Sequence, residues 1–199
     1  MTARAAAPSH LLYLHGFRSS PRSFKAQRLR AWLATQRPTL HWCCPQLPPS
    51  PREAMALIES TLAGWPQGGF AVAGSSLGGF YATAAAEAHG CRAALLNPAV
   101  DPARDLAAWI GEQTAWHDPA ERFCFRPEYV DELRALTVPA ITRPERYFAV
   151  IAKGDEVLDW REMLARYPGA EVLLLEGGDH ALSDFDTHMP AVLRFLGLA

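Results

Sequence analysis

Apolar residues in this chain fall into short, nearly unbroken runs. LLYLHG from Leu11, LHWCCP from Leu40, FAVAGS from Phe70, AALLNP from Ala93, YFAVIAKG from Tyr147 and EVLLLEGG from Glu171 are each bounded by Gly or Pro. Runs without polar alternation predict strands buried on both faces, as in a parallel sheet covered by helices on either side. Between them the apolar spacing becomes helical. SPRSFKAQRLRAWLATQ offers Ser20 as a cap and Pro21 at the first helical position, with Phe24, Leu29, Trp32 and Leu33 on one face. PREAMALIESTLAG, GGFYATAAAEAHG and SDFDTHMPAVLRFLG continue the alternation. Strand and helix in turn predict an α/β fold of three layers, a mostly parallel six-stranded sheet with helices on both faces.

The alternation stops after Pro98 and resumes at Tyr147. The intervening segment, 99–146, is too long for a plain loop in a compact domain. It carries Trp109, Trp116, Phe123, Phe125 and Tyr129 among many charges. One reading is a helical excursion that completes the core. The other, preferred here, is a small helical cap over the C-terminal strand ends, where open α/β sheets place their ligands. Trp109, Trp116 and Phe123 then line a substrate pocket.

Composition narrows the function classes. A chain of 199 residues fits one domain, 1–199, able to bury about 70% of the surface its unfolded form exposes. A net charge of -2 lacks the basic excess of nucleic-acid binders, so no nucleic-acid partner is expected. The N-terminal stretch has only a short apolar run before His15, too short for a signal segment, and no later run reaches the ~18 residues of a membrane span. Cys43, Cys44, Cys91 and Cys124 show no CxxC spacing, which suits neither a disulfide framework nor a zinc site. Mostly buried, reduced thiols and a cytoplasmic location are the expectation, with no membrane partner.

The chemistry concentrates in AVAGSSLGGFYA, Ala71 to Ala82. A phosphate cradle fails on pattern, because no lysine follows as a P-loop requires and GxGxxG needs a glycine where Ser76 stands. GxSxG fits as Gly74, Ser75, Ser76, Leu77, Gly78. In a nucleophile elbow the residues two before and two after the serine crowd each other and the neighbouring strand. Those positions are Gly74 and Gly78 for Ser76, but Ala73 and Leu77 for Ser75, so steric reasoning selects Ser76.

A serine hydroxyl needs a base held by an acid, in the chain order serine, acid, histidine for this kind of sheet. After Ser76 come His89, His117, His180 and His188. His89 ends a helix, His117 falls in the cap segment and His188 lies inside the last helix. His180 follows EVLLLEGGD, in the loop leaving the last strand at the edge that holds the elbow. For the acid, Asp155 directly follows YFAVIAKG, with Asp159 as competitor one helical turn later and Asp179 too near His180 to orient its ring. The oxyanion donors expected are the Leu77 amide and, from LHGF after the first strand, the Phe17 amide. His15 then organises that loop.

These residues resemble the α/β-hydrolase superfamily, and within it the small bacterial YqiA-like esterases. The similarity runs through LLYLHGFRSSPRSFKAQ, PQLPP, GSSLGGFYAT, NPAV, GDEVLD and EGGDHAL, in that order. It implies a minimal hydrolase sheet without the first two antiparallel strands, and hydrolysis of small-molecule carboxylic esters or acyl thioesters with no metal or organic cofactor. Its motifs fall on Ser76, Asp155 and His180. One departure is Asp179, where the family often shows asparagine. Three functions stay open: a serine esterase or thioesterase, a non-catalytic binding protein of the same fold, and a triad hydrolase acting on amide or carbon–carbon bonds.

Overall fold

The computed structural model describes residues 7–116, 118 and 120–199. His117, one of the candidate histidines, lies outside them. Six strands form one sheet in which every pairing is parallel. They are β1 (His10–Leu14), β2 (His41–Cys43), β3 (Phe70–Ser75), β4 (Arg92–Leu96), β7 (Tyr147–Ala152) and β8 (Glu171–Leu175), in the spatial order β2-β1-β3-β4-β7-β8. All six match the apolar runs. The order reverses between β1 and β3, and a crevice opens at such a switch point beyond the strands' C-terminal ends.

Residue alternation explains why the runs are continuous. Leu12, Leu14, Val72, Leu95, Ala149 and Ile151 point into one core, packed under α2 (Pro51–Ala63), α3 (Leu77–His89), α5 (Pro127–Leu136) and α6 (Trp160–Arg166). Leu11, Tyr13, Ala73, Leu96, Phe148 and Val150 point into the other, under α1 (Phe24–Gln36) and α7 (Phe185–Leu196). Both faces are therefore apolar, and no strand among the central four can show a polar side. Short α4 (Pro102–Asp105) follows β4. Among the described residues no helix is long and apolar enough to cross a membrane.

Three local expectations shift. Helix α1 begins at Phe24, with Ser23 rather than Ser20 at its N-cap. Ser20 Oγ instead accepts the Arg22 amide at 3.1 Å, so Pro21 belongs to a turn before the helix. Phe24, expected on the buried face, is 48% exposed, while Leu29 and Leu33 are buried. The thiols are free, but only Cys91 is buried; Cys43 and Cys44 are half-buried and Cys124 is exposed.

Between β4 and β7 the chain adds α4, α5 and a feature not anticipated, an antiparallel hairpin of β5 (Gly111–Thr114) and β6 (Arg122–Phe125). Its β6 alternates, with Arg122 and Cys124 outward and Phe123 and Phe125 inward. Four residues are too few for that period to stand out in sequence. Helix α5 is fixed to α2 by Glu132, whose carboxylate accepts the Ser50 hydroxyl at 2.7 Å and the Arg52 amide at 3.0 Å.

Candidate active site

Ser76 stands between β3 and α3 with φ 55° and ψ -121°, a backbone conformation that residues with side chains rarely adopt. Its amide donates to the Leu96 carbonyl, and its own carbonyl accepts the Gly79 and Ala99 amides. The turn closes only because its flanks are glycine. A methyl on Gly74 would stand 2.1 Å from the Gly78 carbonyl oxygen, and one on Gly78 would stand 2.0 Å from the Leu14 carbonyl oxygen. These are the two contacts, mutual and with the neighbouring strand, that the sequence argument invoked. Gly79 lets α3 approach Pro98 to a distance at which a methyl would sit 2.7 Å from its Cβ.

The three candidate side chains meet in one chain of hydrogen bonds. His180 Nδ1 is 2.7 Å from Asp155 Oδ2, and His180 Nε2 is 3.0 Å from Ser76 Oγ. An ionised carboxylate only accepts, so Nδ1–H donates to Asp155 and Nε2 is left to accept the serine hydroxyl. The Asp155 side chain is fully buried. Its second oxygen accepts the Val157 and Leu158 amides, each at 2.8 Å, which fixes the carboxylate plane. The competitors are occupied elsewhere. Asp159 caps α6 by accepting the Arg161 amide at 2.8 Å. Asp179 accepts the hydroxyl and amide of Ser183, which hold its carboxyl below the usual carboxylate value. His188 pairs with Asp184 and His89 with Glu59.

The loop after β1 lies directly against the serine, since a methyl on Gly16 would stand 3.2 Å from Ser76 Cβ. His15 organises this loop as expected: Nε2 accepts the Leu47 amide and Nδ1–H donates to the Gly16 carbonyl, both at 3.0 Å. The Phe17 and Leu77 amides face no acceptor among the described residues. Leu77 is also the first residue of α3, where the positive end of the helix favours a developing negative charge.

A cavity of about 1090 Å³ opens over this constellation, with Ser76, His180, Phe17 and Leu77 in its wall. Trp109 and Trp116 line it. Phe123 does not. The β6 alternation turns it onto the Phe17 ring, edge to face at 5.8 Å, so it backs the loop after β1 instead of lining the cavity. Phe24, Val157 and Leu158 line it as well. Arg18 joins the loop to the hairpin: its Nε donates to the Thr114 carbonyl at 2.7 Å, its carbonyl accepts the Trp116 amide at 2.8 Å, and its guanidinium lies 4.1 Å from the Trp116 ring centre. Among the described residues no three His, Cys, Asp or Glu side chains gather as a metal site requires.

Three residues hold the loops around the site in ways that spacing along the chain does not predict. Asn97, fully buried at the end of β4 with φ 41°, donates to the carbonyls of Asp179 and His180 and accepts the Ala152 amide. It clips the histidine loop to the end of β7. Glu156, next to Asp155, accepts the His180 amide at 2.9 Å. Lys25 reaches the Ala181 carbonyl from α1. NPAV marks Asn97 as part of a block, but nothing in spacing says that its side chain bridges two loops.

With this geometry in place, the family follows. The matching family model covers residues 10–197 and describes an uncharacterised protein family, UPF0227. The chain belongs to that family. Among solved structures, Est1E from Butyrivibrio proteoclasticus with bound ferulic acid is similar at TM-score 0.74 and 15% identity, over 98% of this chain and 90% of that one. Mouse alpha/beta hydrolase domain-containing protein 10 reaches 0.69 at 16% identity, over 97% and 92%. The Pyrococcus furiosus esterase Pf2001 reaches 0.64 at 14%, over 97% and 82%. At such identities the likeness concerns the fold, which is that of the α/β hydrolases, with the six-stranded sheet inferred from the sequence.

Proposed function

We propose that this UPF0227 member is a serine hydrolase cleaving small-molecule carboxylic esters or acyl thioesters. The observation that carries the reading is the relay Ser76–His180–Asp155, hydrogen-bonded end to end and opening on a large, mostly apolar cavity. That similar structures include the esterase Pf2001 and an esterase domain from Rhodothermus marinus, and that Est1E binds ferulic acid, agrees with it. His180 Nε2 takes the Ser76 proton as Oγ attacks the acyl carbon, and Asp155 stabilises the imidazolium. The carbonyl π electrons move to oxygen, which the Phe17 and Leu77 amides receive. The imidazolium then protonates the departing alkoxide or thiolate, leaving an acyl-serine. Water, deprotonated by His180, attacks that acyl carbon, and the acid leaves as Oγ takes back the proton. Residues 99–146 act as the cap, and the cavity size and its indole and phenyl walls suit a bulky alkyl or aryl group.

The test is covalent. A fluorophosphonate should modify Ser76, located by peptide mass spectrometry, and Ser76→Ala should abolish labelling and lower kcat on p-nitrophenyl esters by about 10⁶-fold. Ser75→Ala should retain both. Unmodified, folded wild-type protein would refute the reading.

A further inference from the structure

A buried lysine touches the site without belonging to the relay. Lys25, the second residue of α1, is 9% exposed and lines the cavity that holds Ser76. Its Nζ donates to the carbonyl of Ala181, the residue after His180. An ammonium is among the costliest groups to take out of water, and methionine would fill a similar space without that cost. Filling space therefore does not account for it.

The loop carrying His180 is tied from three sides. Asn97 holds the carbonyls of Asp179 and His180, Glu156 holds the His180 amide, and Lys25 holds the next carbonyl along. The carboxylates that attract the ammonium are Asp179, in the same loop, and Asp155, after β7. On α7, Asp186 is engaged by Arg28, and from β1 the Tyr13 phenol, which burial keeps protonated, lines the same cavity. We propose that Lys25 is a positioning residue, whose ammonium clamps the backbone next to His180 and so keeps the imidazole in line with Ser76 and Asp155. This rests on the serine-hydrolase reading above.

A charged donor makes a hydrogen bond about twice as strong as a neutral one. Burial pulls the Lys25 ammonium down to about 8, against the opposing pull of Asp179 and Asp155. The clamp is thus charged below that pH and weakens above it, in a range where an exposed lysine stays protonated.

The experiment measures kcat and KM for wild type, Lys25→Met and Lys25→Arg on a p-nitrophenyl ester from about pH 6 to about pH 10. Lys25→Met should lower kcat at neutral pH by about 10- to 100-fold with KM within about threefold, and should lose the alkaline decline near 8 shown by wild type. Lys25→Arg, which stays charged, should recover part of kcat and move the decline upward. A Lys25→Met kcat within about twofold of wild type, or the same alkaline decline in both, would overturn the proposal. Should Lys25→Met not fold, amide exchange of residues 179–183 in wild type decides: opening, corrected for intrinsic rates, should rise across the decline, and constant protection overturns the clamp. Failure of the fluorophosphonate to label wild type would instead overturn the hydrolase reading, and the exchange result would be unaffected.

Discussion

At Ser76 a side-chain-bearing residue is held at φ 55°, a conformation that costs about 1–3 kcal/mol and persists only where its surroundings enforce it. Gly74 and Gly78 are part of that enforcement, because both added methyls would meet backbone oxygen rather than a yielding side chain. Gly74→Ala and Gly78→Ala should each cost about 3 kcal/mol or more in chemical denaturation and remove esterase activity. Gly64→Ala is the matched control. That glycine ends α2 at φ -88° with nothing within 4 Å of an added methyl, so stability should stay level or rise by up to about 1 kcal/mol. At this scale the sequence is informative where the constraint is local. Ser76, Asp155 and His180 each lie in the turn or loop that leaves the C-terminal end of an apolar strand, so their edge of the sheet can be counted from the chain. Asn97 acts on residues 82 and 83 positions away and Lys25 on one 156 away, and no short window contains such a partnership.

Among the elements, the hairpin β5–β6 reaches the cavity through Trp116, just beyond β5. Trp116 is 70% exposed, lines the cavity and lies against Arg18, the residue after the proposed oxyanion donor Phe17. Trp116→Ala should raise KM about tenfold for long-chain or aryl esters and less than about threefold for acetate esters, read from kcat/KM over a p-nitrophenyl ester series. An equal effect on all chain lengths would place the indole outside the substrate's path. The six sheet strands were legible because their residues are apolar toward both cores, a pattern that survives without any alignment. The hairpin was not, since GEQT in β5 carries no apolar signal and β6 gives only two inward residues. Phe123 was misplaced for the same reason: aromatic content pointed to a pocket, but strand parity decided that its ring backs Phe17. The start of α1 went astray because Ser20 and Ser23 are equally good caps, and Pro21 fits a turn as well as a first helical turn.

For the molecule as a whole, a buried lysine makes stability and activity respond to pH in opposite directions. Lys25 holds its proton to about 8 when folded and to about 10.4 when unfolded. Below about 8 both states are protonated and the full cost of burying the charge is present. Between the two values the unfolded chain binds more protons than the folded one, so raising the pH stabilises the fold. Cys44 and Cys91, whose thiols burial pushes up to about 12, work the other way, since their unfolded thiolates form from about 8.5 upward. Comparing wild type with Lys25→Met cancels the thiols. Urea denaturation of the pair should show the wild type gaining up to about 1 kcal/mol relative to the variant between pH 8 and about pH 9. Over that interval wild-type kcat should fall if the charged clamp holds His180. A lysine that merely supported the fold would give rising stability with level kcat, so the joint measurement separates a positioning role from a packing one.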